Sequence, residues 1–305
     1  MTTQDRVSIA MNPDERWANG EGAVELRADD VTKVFGTRRG RGEGVAAVSH
    51  ADIRVRQNEF VAIVGESGSG KSTLARMLLG LIEPTGGEVF FNDVPLSKID
   101  RKSLKQFRRS VQAVLQDPSG SLNPRKTVEK SLAEVIRLHK IVRGRRDTTQ
   151  RVAQVLEQVG LDPALYLHRY PHELSGGQRQ RVLIARALVL EPALIVADEA
   201  VSALDVSIKA GILQLMRDLH ESMGIGYVFI THDLPVVKKV ASYIYVMRHG
   251  ELVEHGTKDK LFNSPEHPYT RELLAASPEL LVQSAASDRG EVTQSHAHQW
   301  KTTTD

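Results

Sequence analysis

Phe60-Val61-Ala62-Ile63-Val64-Gly65-Glu66-Ser67-Gly68-Ser69-Gly70-Lys71-Ser72 runs from five apolar residues into a glycine-rich turn that closes on lysine and serine. The apolar run has the length of a buried strand, and apolar spacing from Thr73 to Leu81 predicts a helix directly behind the turn. Residues 65–72 match GxxxxGK[ST] in the strand, turn and helix setting that this motif requires. The chemistry is anion capture. Glycines let the backbone curl so that N–H groups along Gly65, Glu66, Ser67, Gly68, Ser69 and Gly70 face phosphate oxygens, and the helix that starts around Thr73 adds its positive end. Lys71 offers a full charge to the β and γ phosphates of ATP, and the Ser72 hydroxyl is a ligand for Mg2+.

Outward from this turn the chain changes texture. Residues 24–95 alternate short strand-like runs with glycine turns, whereas residues from 97 to about 172 are more strongly charged, with helical spacing in SLAEVIRLHKIV and RVAQVLEQVGL. That middle stretch reads as a mainly helical insertion. From Leu174 to Met247 the alternation returns, with ALIVAD, YVFITH and IYVM as strands and IKAGILQLMRDLHESM among the helices. Such alternation implies a largely parallel sheet covered by helices, and RELLAA predicts one more helix near the end. The basic TRRGRG stretch at 37–42 reads as a loop between strands rather than a phosphate patch. Residues 1–22 are expected to be a flexible arm without the apolar block of a secretory signal, and 284–305 a flexible tail. In that tail His296 and His298 are close enough in sequence to share a metal, or are simply solvated.

Composition narrows the field. The chain has 305 residues, 40 Lys and Arg against 38 Asp and Glu, and a formal charge of +2, so bulk charge gives no reason to expect a nucleic-acid partner. With no cysteine, disulfides, thiolate catalysis and cysteine-ligated clusters are excluded. No apolar run approaches the roughly 20 residues of a membrane span; Glu191 and Pro192 interrupt even ALVLEPALIVA.

Two further motifs complete the chemistry. Leu194-Ile195-Val196-Ala197-Asp198-Glu199 sets two carboxylates at the tip of an apolar strand, one suited to the magnesium shell and the other to polarising an attacking water. Leu174-Ser175-Gly176-Gly177-Gln178 then precedes the helical RQRVLIARAL. With these residues the chain resembles the ATP-binding cassette (ABC) ATPases. The resemblance implies an α/β P-loop NTPase fold over 23–256, with an antiparallel β subdomain, the inserted helical subdomain and a short C-terminal extension over 257–283. It also implies that the signature at Ser175, Gly176, Gly177 and Gln178 caps the γ phosphate held by a second cassette, so one chain carries two incomplete half-sites of a head-to-tail dimer.

Other positions acquire roles by the same resemblance. Gln116, in VLQDP after a strand-like run, is similar to the glutamine that senses Mg2+ and attacking water; Ser202-Ala203-Leu204-Asp205 resembles the dimer-contact loop, and His232 in ITHD resembles the switch histidine at the γ phosphate. Phe35 occupies the place of an aromatic residue that stacks on adenine, or is core. Ala200-Val201 stand where many relatives have Pro-Thr, which alters no predicted ligand.

QDPSGSLNPR at 116–125 and SPEHPYTRELLAASP at 264–278 resemble the oligopeptide and dipeptide importer ATPases. That resemblance covers roughly residues 24–283. It implies a peripheral transport ATPase on the cytoplasmic face of a prokaryotic cell membrane, working with a related but nonidentical ATPase, two permease subunits and an extracytoplasmic substrate-binding protein. Peptides lead as substrate, with nickel chelates, opines and oligosaccharides open. Two other readings use the same motifs: a component of a phosphonate-processing assembly, and a soluble ABC ATPase outside transport. Within the extension, His267, Pro268 and Tyr269 read as a subgroup marker, adequately explained by a turn and helix packing.

Overall fold

The computed structural model describes residues 23–36, 44–115, 118–202 and 204–277. The expected arm and tail, the loop at 37–42, Gln116, Ala203, His296 and His298 lie outside the described residues. The chain opens with strands β1 (Glu25–Phe35), β2 (Val45–Arg56) and β3 (Phe60–Val64), followed by helix α1 (Lys71–Leu78). Next come β4 (Gly86–Phe91), β5 (Val94–Pro95), α2 (Arg101–Ser110) and β6 (Val111–Val114). Helices α3 (Pro118–Ser121), α4 (Val128–His139), α5 (Arg145–Gln158), α6 (Pro163–Tyr166) and α7 (Gly176–Leu188) follow in succession. The αβ alternation resumes with β7 (Leu194–Asp198), α8 (Val206–Met223), β8 (Gly226–Thr231), α9 (Leu234–Val240) and β9 (Tyr243–Arg248). It ends with β10 (Glu251–Thr257), α10 (Lys258–Asn263) and α11 (Pro268–Ala275).

Two sheets result. The larger has the order β10-β9-β3-β8-β7-β6, and every neighbouring pair in it is parallel except β9 with β10. The smaller, β2-β1-β4-β5, is antiparallel throughout. The central strands β3, β7, β8 and β9 are apolar and buried at nearly every position because both faces of the sheet are covered there. Successive side chains of β3 therefore enter different cores. Phe60, Ala62 and Val64 pack with α4, α5, α7 and α8, while Val61 and Ile63 pack with the small sheet and α1.

One expected boundary moves. The stretch from about residue 97 is not helical throughout, because β6 adds the sixth strand to the large sheet at 111–114 and only α3 to α6 follow it before the signature. Strand β6 is the strand-like run before Gln116, four residues long and at the sheet edge. The helix behind the phosphate loop also ends at Leu78, where Gly80 takes a left-handed turn, rather than at Leu81. A central strand depends on this two-sided burial: Phe229→Ala on β8, which has no exposed surface, is expected to destabilise the fold by about 3–5 kcal/mol, read as a lowered urea midpoint.

Candidate nucleotide site

The loop after β3 is shaped by close backbone approaches. Gly65 (φ 152°) leaves a β-carbon no room, since it would stand 2.1 Å from the Met247 carbonyl oxygen; at Gly70 (φ 105°) the same atom would meet the Ala47 carbonyl oxygen at 2.3 Å. Both glycines are thus required by sterics as well as by conformation. Gly70 is also the residue from which α1 starts, so the loop leads directly onto a helix N-terminus. Ser67, Gly68 and Ser69 complete the turn, with Gly68 also at positive φ and open space beside it, and Thr73 lies in the first turn of α1.

Lys71 is buried, and its Nζ donates to the carbonyl oxygens of Gly65 (2.8 Å) and Glu66 (2.6 Å) and to Ser69 Oγ (3.3 Å). Burial lowers the ammonium's pKa from its ordinary value, and the carboxylates of Glu199, Asp198 and Glu66 oppose that shift. The Ser72 hydroxyl donates to Asp198 Oδ1 at 3.1 Å across 126 positions of sequence. Two hard oxygen donors on adjoining elements fit Mg2+, which takes one or two protein ligands and completes its shell with phosphates and water.

Asp198 is the last residue of β7, and burial raises its carboxyl above the ordinary range against the pull of the Ser72 hydroxyl. Glu199 follows in the left-handed region at φ 47°, a conformation that costs a non-glycine residue about 1–3 kcal/mol and that recurs at functional sites. The twist is held from both sides. The Glu199 amide donates to the Ile230 carbonyl oxygen at 3.0 Å, and its own carbonyl accepts from the Ser202 amide (3.1 Å) and hydroxyl (2.9 Å). Its carboxylate lies 3.5 Å from His232 Nδ1 at the end of β8. Lys209 on α8 pairs with Asp233, which also caps α9, so the segment after Asp205 is tied to the residue beside His232. Sequence reading passed over Lys209, since a lysine at the start of an amphipathic helix carries no signal of its partner.

The signature is placed elsewhere. Ser175 caps α7 and forms a reciprocal pair with Gln178: Ser175 Oγ accepts from the Gln178 amide (3.3 Å) and Gln178 Oε1 from the Ser175 amide (2.9 Å). Gln178 Nε2 further donates to the Tyr166 hydroxyl at 2.9 Å. Ser175 and Gly176 are exposed, Gly177 is buried, and among the described residues no hydrogen bond or ion pair joins 175–178 to 65–73. Phe35, at the end of β1, is 47% exposed and therefore is not core. Asp205 is an exposed residue at the start of α8.

The loop also has a neighbour from the far end of the chain. The Glu66 amide donates to the Tyr269 hydroxyl on α11 at 3.0 Å. Turn and helix packing does not account for that contact, and nothing in HPYT as a local pattern announces it.

The raised carboxyl of Asp198 has a measurable sign. Folding disfavours its ionised form, so its contribution to stability declines as pH rises from the ordinary carboxylate range through the raised value, and stays diminished above it. Asp198→Asn is expected to melt higher than the wild type at neutral pH, with the difference fading under acid, while losing Mg2+-dependent nucleotide binding; melting curves across pH check it.

Comparison with known proteins agrees with this geometry. Residues 48–202 match the ABC transporter family model, and residues 253–299 match the model of the oligopeptide/dipeptide transporter C-terminal region. The glutathione import ATP-binding protein GsiA of Escherichia coli (strain K12) is 46% identical over 262 residues, covering 85% of this chain and 42% of that protein. GsiA of Shigella flexneri matches to the same extent. The chain thus spans about two fifths of the length of these curated relatives. Among solved structures, the ATP-binding cassette MJ0796, a dimer in a post-hydrolysis state bound to ADP and Pi, is 30% identical with a TM-score of 0.66, covering 76% of this chain and 98% of that one. cbiO1 of Clostridium perfringens, part of the ABC transporter complex cbiONQ, is 26% identical with a TM-score of 0.67, covering 78% and 90%. With the family motif spanning half its length and the cassette fold around it, the chain belongs to the ABC transporter family, as an ATP-binding cassette of the oligopeptide/dipeptide transporter type.

Proposed function

We propose that this chain binds and hydrolyses ATP as one half of a head-to-tail cassette pair, and that the cycle drives uptake of peptides or a related small solute. The observation that carries the reading is the separation of the motifs. Lys71, Ser72, Asp198, Glu199 and His232 converge on the phosphate loop, whereas Ser175 and Gly176 stand exposed on α7 with no bond to it. A signature closed only on itself needs a second cassette to cap. The MJ0796 cassette is described as a dimer, which supports the pairing.

In this reading amides of the phosphate loop other than that of Glu66, which Tyr269 takes, bind the phosphates together with the Lys71 ammonium, and Phe35 offers its exposed ring to adenine. Ser72 and Asp198 hold Mg2+, which neutralises developing phosphate charge when bound. Gln116, which precedes the helical part of the chain, adds a ligand to the metal and water in the family pattern. Glu199 accepts the proton of the attacking water and His232, 3.5 Å away, orients that carboxylate against the γ phosphate. Ser175, Gly176, Gly177 and Gln178 do for the partner's nucleotide what the partner's signature does here, with Asp205 at the contact between them. Loss of the γ phosphate removes the bridge between cassettes and lets them part.

No helix among the described residues is long and apolar enough to cross a membrane. Transport therefore requires other chains: a second, related ATPase, two permease subunits and a substrate-binding protein outside the membrane, with this chain peripheral on the cytoplasmic face. The C-terminal match to oligopeptide/dipeptide transporters makes a peptide the leading substrate class, and a tripeptide such as glutathione, named for GsiA, falls within it.

Purification of the tagged chain from solubilised membranes is expected to bring down the permeases and the second ATPase; recovery without any permease overturns the transport reading. Glu199→Gln is expected to lower ATP turnover by at least about 100-fold while ATP-dependent pairing persists, since the carboxylate acts in proton transfer and not in nucleotide binding. Turnover assays alongside size-exclusion chromatography with ATP separate the two effects.

A further inference from the structure

We infer that Tyr269 is a positioning residue of the nucleotide site: α11 straps the phosphate loop through one hydrogen bond to the Glu66 amide and so fixes the peptide plane on which Lys71 rests. The inference builds on the ATPase reading above and adds to it a role for the C-terminal region.

The geometry is specific to one peptide unit. The N–H of Glu66 donates to Tyr269 Oη at 3.0 Å, and the carbonyl of the same unit, that of Gly65, accepts from Lys71 Nζ at 2.8 Å. Because a peptide is planar and its two polar groups point oppositely, holding the N–H sets the direction of the C=O. One phenol thereby aims the carbonyl that positions the lysine's ammonium in the loop. The place is also where the sheet runs out. The pairing of β3 with β9 ends at Val64 opposite Val246, so the Glu66 amide lies just beyond the last strand partner, and the phenol supplies its acceptor. On the far side of the turn the Ser69 carbonyl accepts from the Gly250 amide at 2.9 Å, between β9 and β10.

Tyr269 is itself held firmly. Its ring is 2% exposed, with the Arg248 guanidinium carbon 4.7 Å from the ring centroid. His267 caps α11, its Nδ1 accepting from the Tyr269 amide at 3.2 Å, and Pro268 occupies the first helical position, where its missing N–H costs nothing. The turn before it is anchored by the buried Glu254 of β10, whose carboxylate accepts from the amides of Glu266 (2.8 Å) and His267 (3.0 Å). Burial raises the phenol above its ordinary value despite the Glu66 amide, so it stays a neutral acceptor. Every residue of the HPY segment thus contributes to placing one hydroxyl on the phosphate loop.

The test is nucleotide affinity of the full chain, titrated with a fluorescent Mg-ATP analogue, with Lys71→Ala as the control that the signal reports the phosphate loop. Tyr269→Phe keeps the ring and deletes the hydroxyl, and is expected to weaken binding about threefold to tenfold because the loop must then be ordered by the nucleotide itself. Arg248→Met removes the cation from the same ring but leaves the hydroxyl, and is expected to bind as the wild type does. A loss of packing alone would give the opposite ranking. Unchanged affinity in Tyr269→Phe, or an equal loss in Arg248→Met, overturns the inference while leaving the ATPase reading intact; a wild-type chain that binds no nucleotide overturns the ATPase reading itself.

Discussion

The phosphate loop works only if its backbone stays curled, and here the curl is enforced by contact with the rest of the fold. Gly65 lies against the backbone of Met247 on β9 and Gly70 against that of Ala47 on β2, each too close for any side chain. The loop is therefore wedged between the large sheet and the small one, and the two sheets must be in register with each other for its amides to point one way. This explains why the antiparallel subdomain, which carries none of the phosphate-loop, carboxylate or signature motifs, is indispensable to the site. It supplies one jaw of the clamp.

Within that clamp the electrostatics are balanced rather than neutral. A buried ammonium alone is costly, and so is a buried carboxylate; Lys71 and Asp198 are displaced in opposite directions by burial, each drawn back by neighbouring charges. Carbonyl oxygens of the loop solvate the lysine and the Ser72 hydroxyl solvates the aspartate. Both sets of bonds are ones that phosphate and a divalent cation can take over. The left-handed Glu199 adds stored strain at the point where a water must be polarised, and the Ile230 and Ser202 bonds hold it there. Such a site sacrifices stability for readiness, a common arrangement where chemistry must be preorganised.

The helical part and the C-terminal part stand in different relations to this centre. Helices α4, α5 and α7 pack into one core beneath the large sheet and carry the signature outward, with Ser175 and Gly176 exposed. The segment from β9 to α11 does the reverse, wrapping back so that Met247, Gly250 and Tyr269 all touch the loop of the same chain. One appendage thus presents its signature outward and the other closes on the chain's own loop.

Much of this was legible in the residues themselves. The phosphate loop, the paired carboxylates after ALIVAD and the signature were readable because each depends on local spacing: curling needs glycines in order, a strand tip needs apolar residues before its acids, and a capped helix needs Ser and Gln three apart. The central strands β3, β7, β8 and β9 were readable for a similar reason, being largely apolar runs. What was not legible depends on distant pairing. The strand-like run before Gln116 is legible as VQAV at 111–114, but that it joins the large sheet at the edge of β7 is not. Lys209 and Tyr269 look like an ordinary helix lysine and an ordinary packing tyrosine until tertiary structure sets them against Asp233 and the Glu66 amide. The sequence by itself determined which chemistry the chain carries, since motif chemistry resides in neighbouring residues. Only the tertiary structure decided which groups steady that chemistry, because a hydrogen bond spanning 203 positions has no local signature.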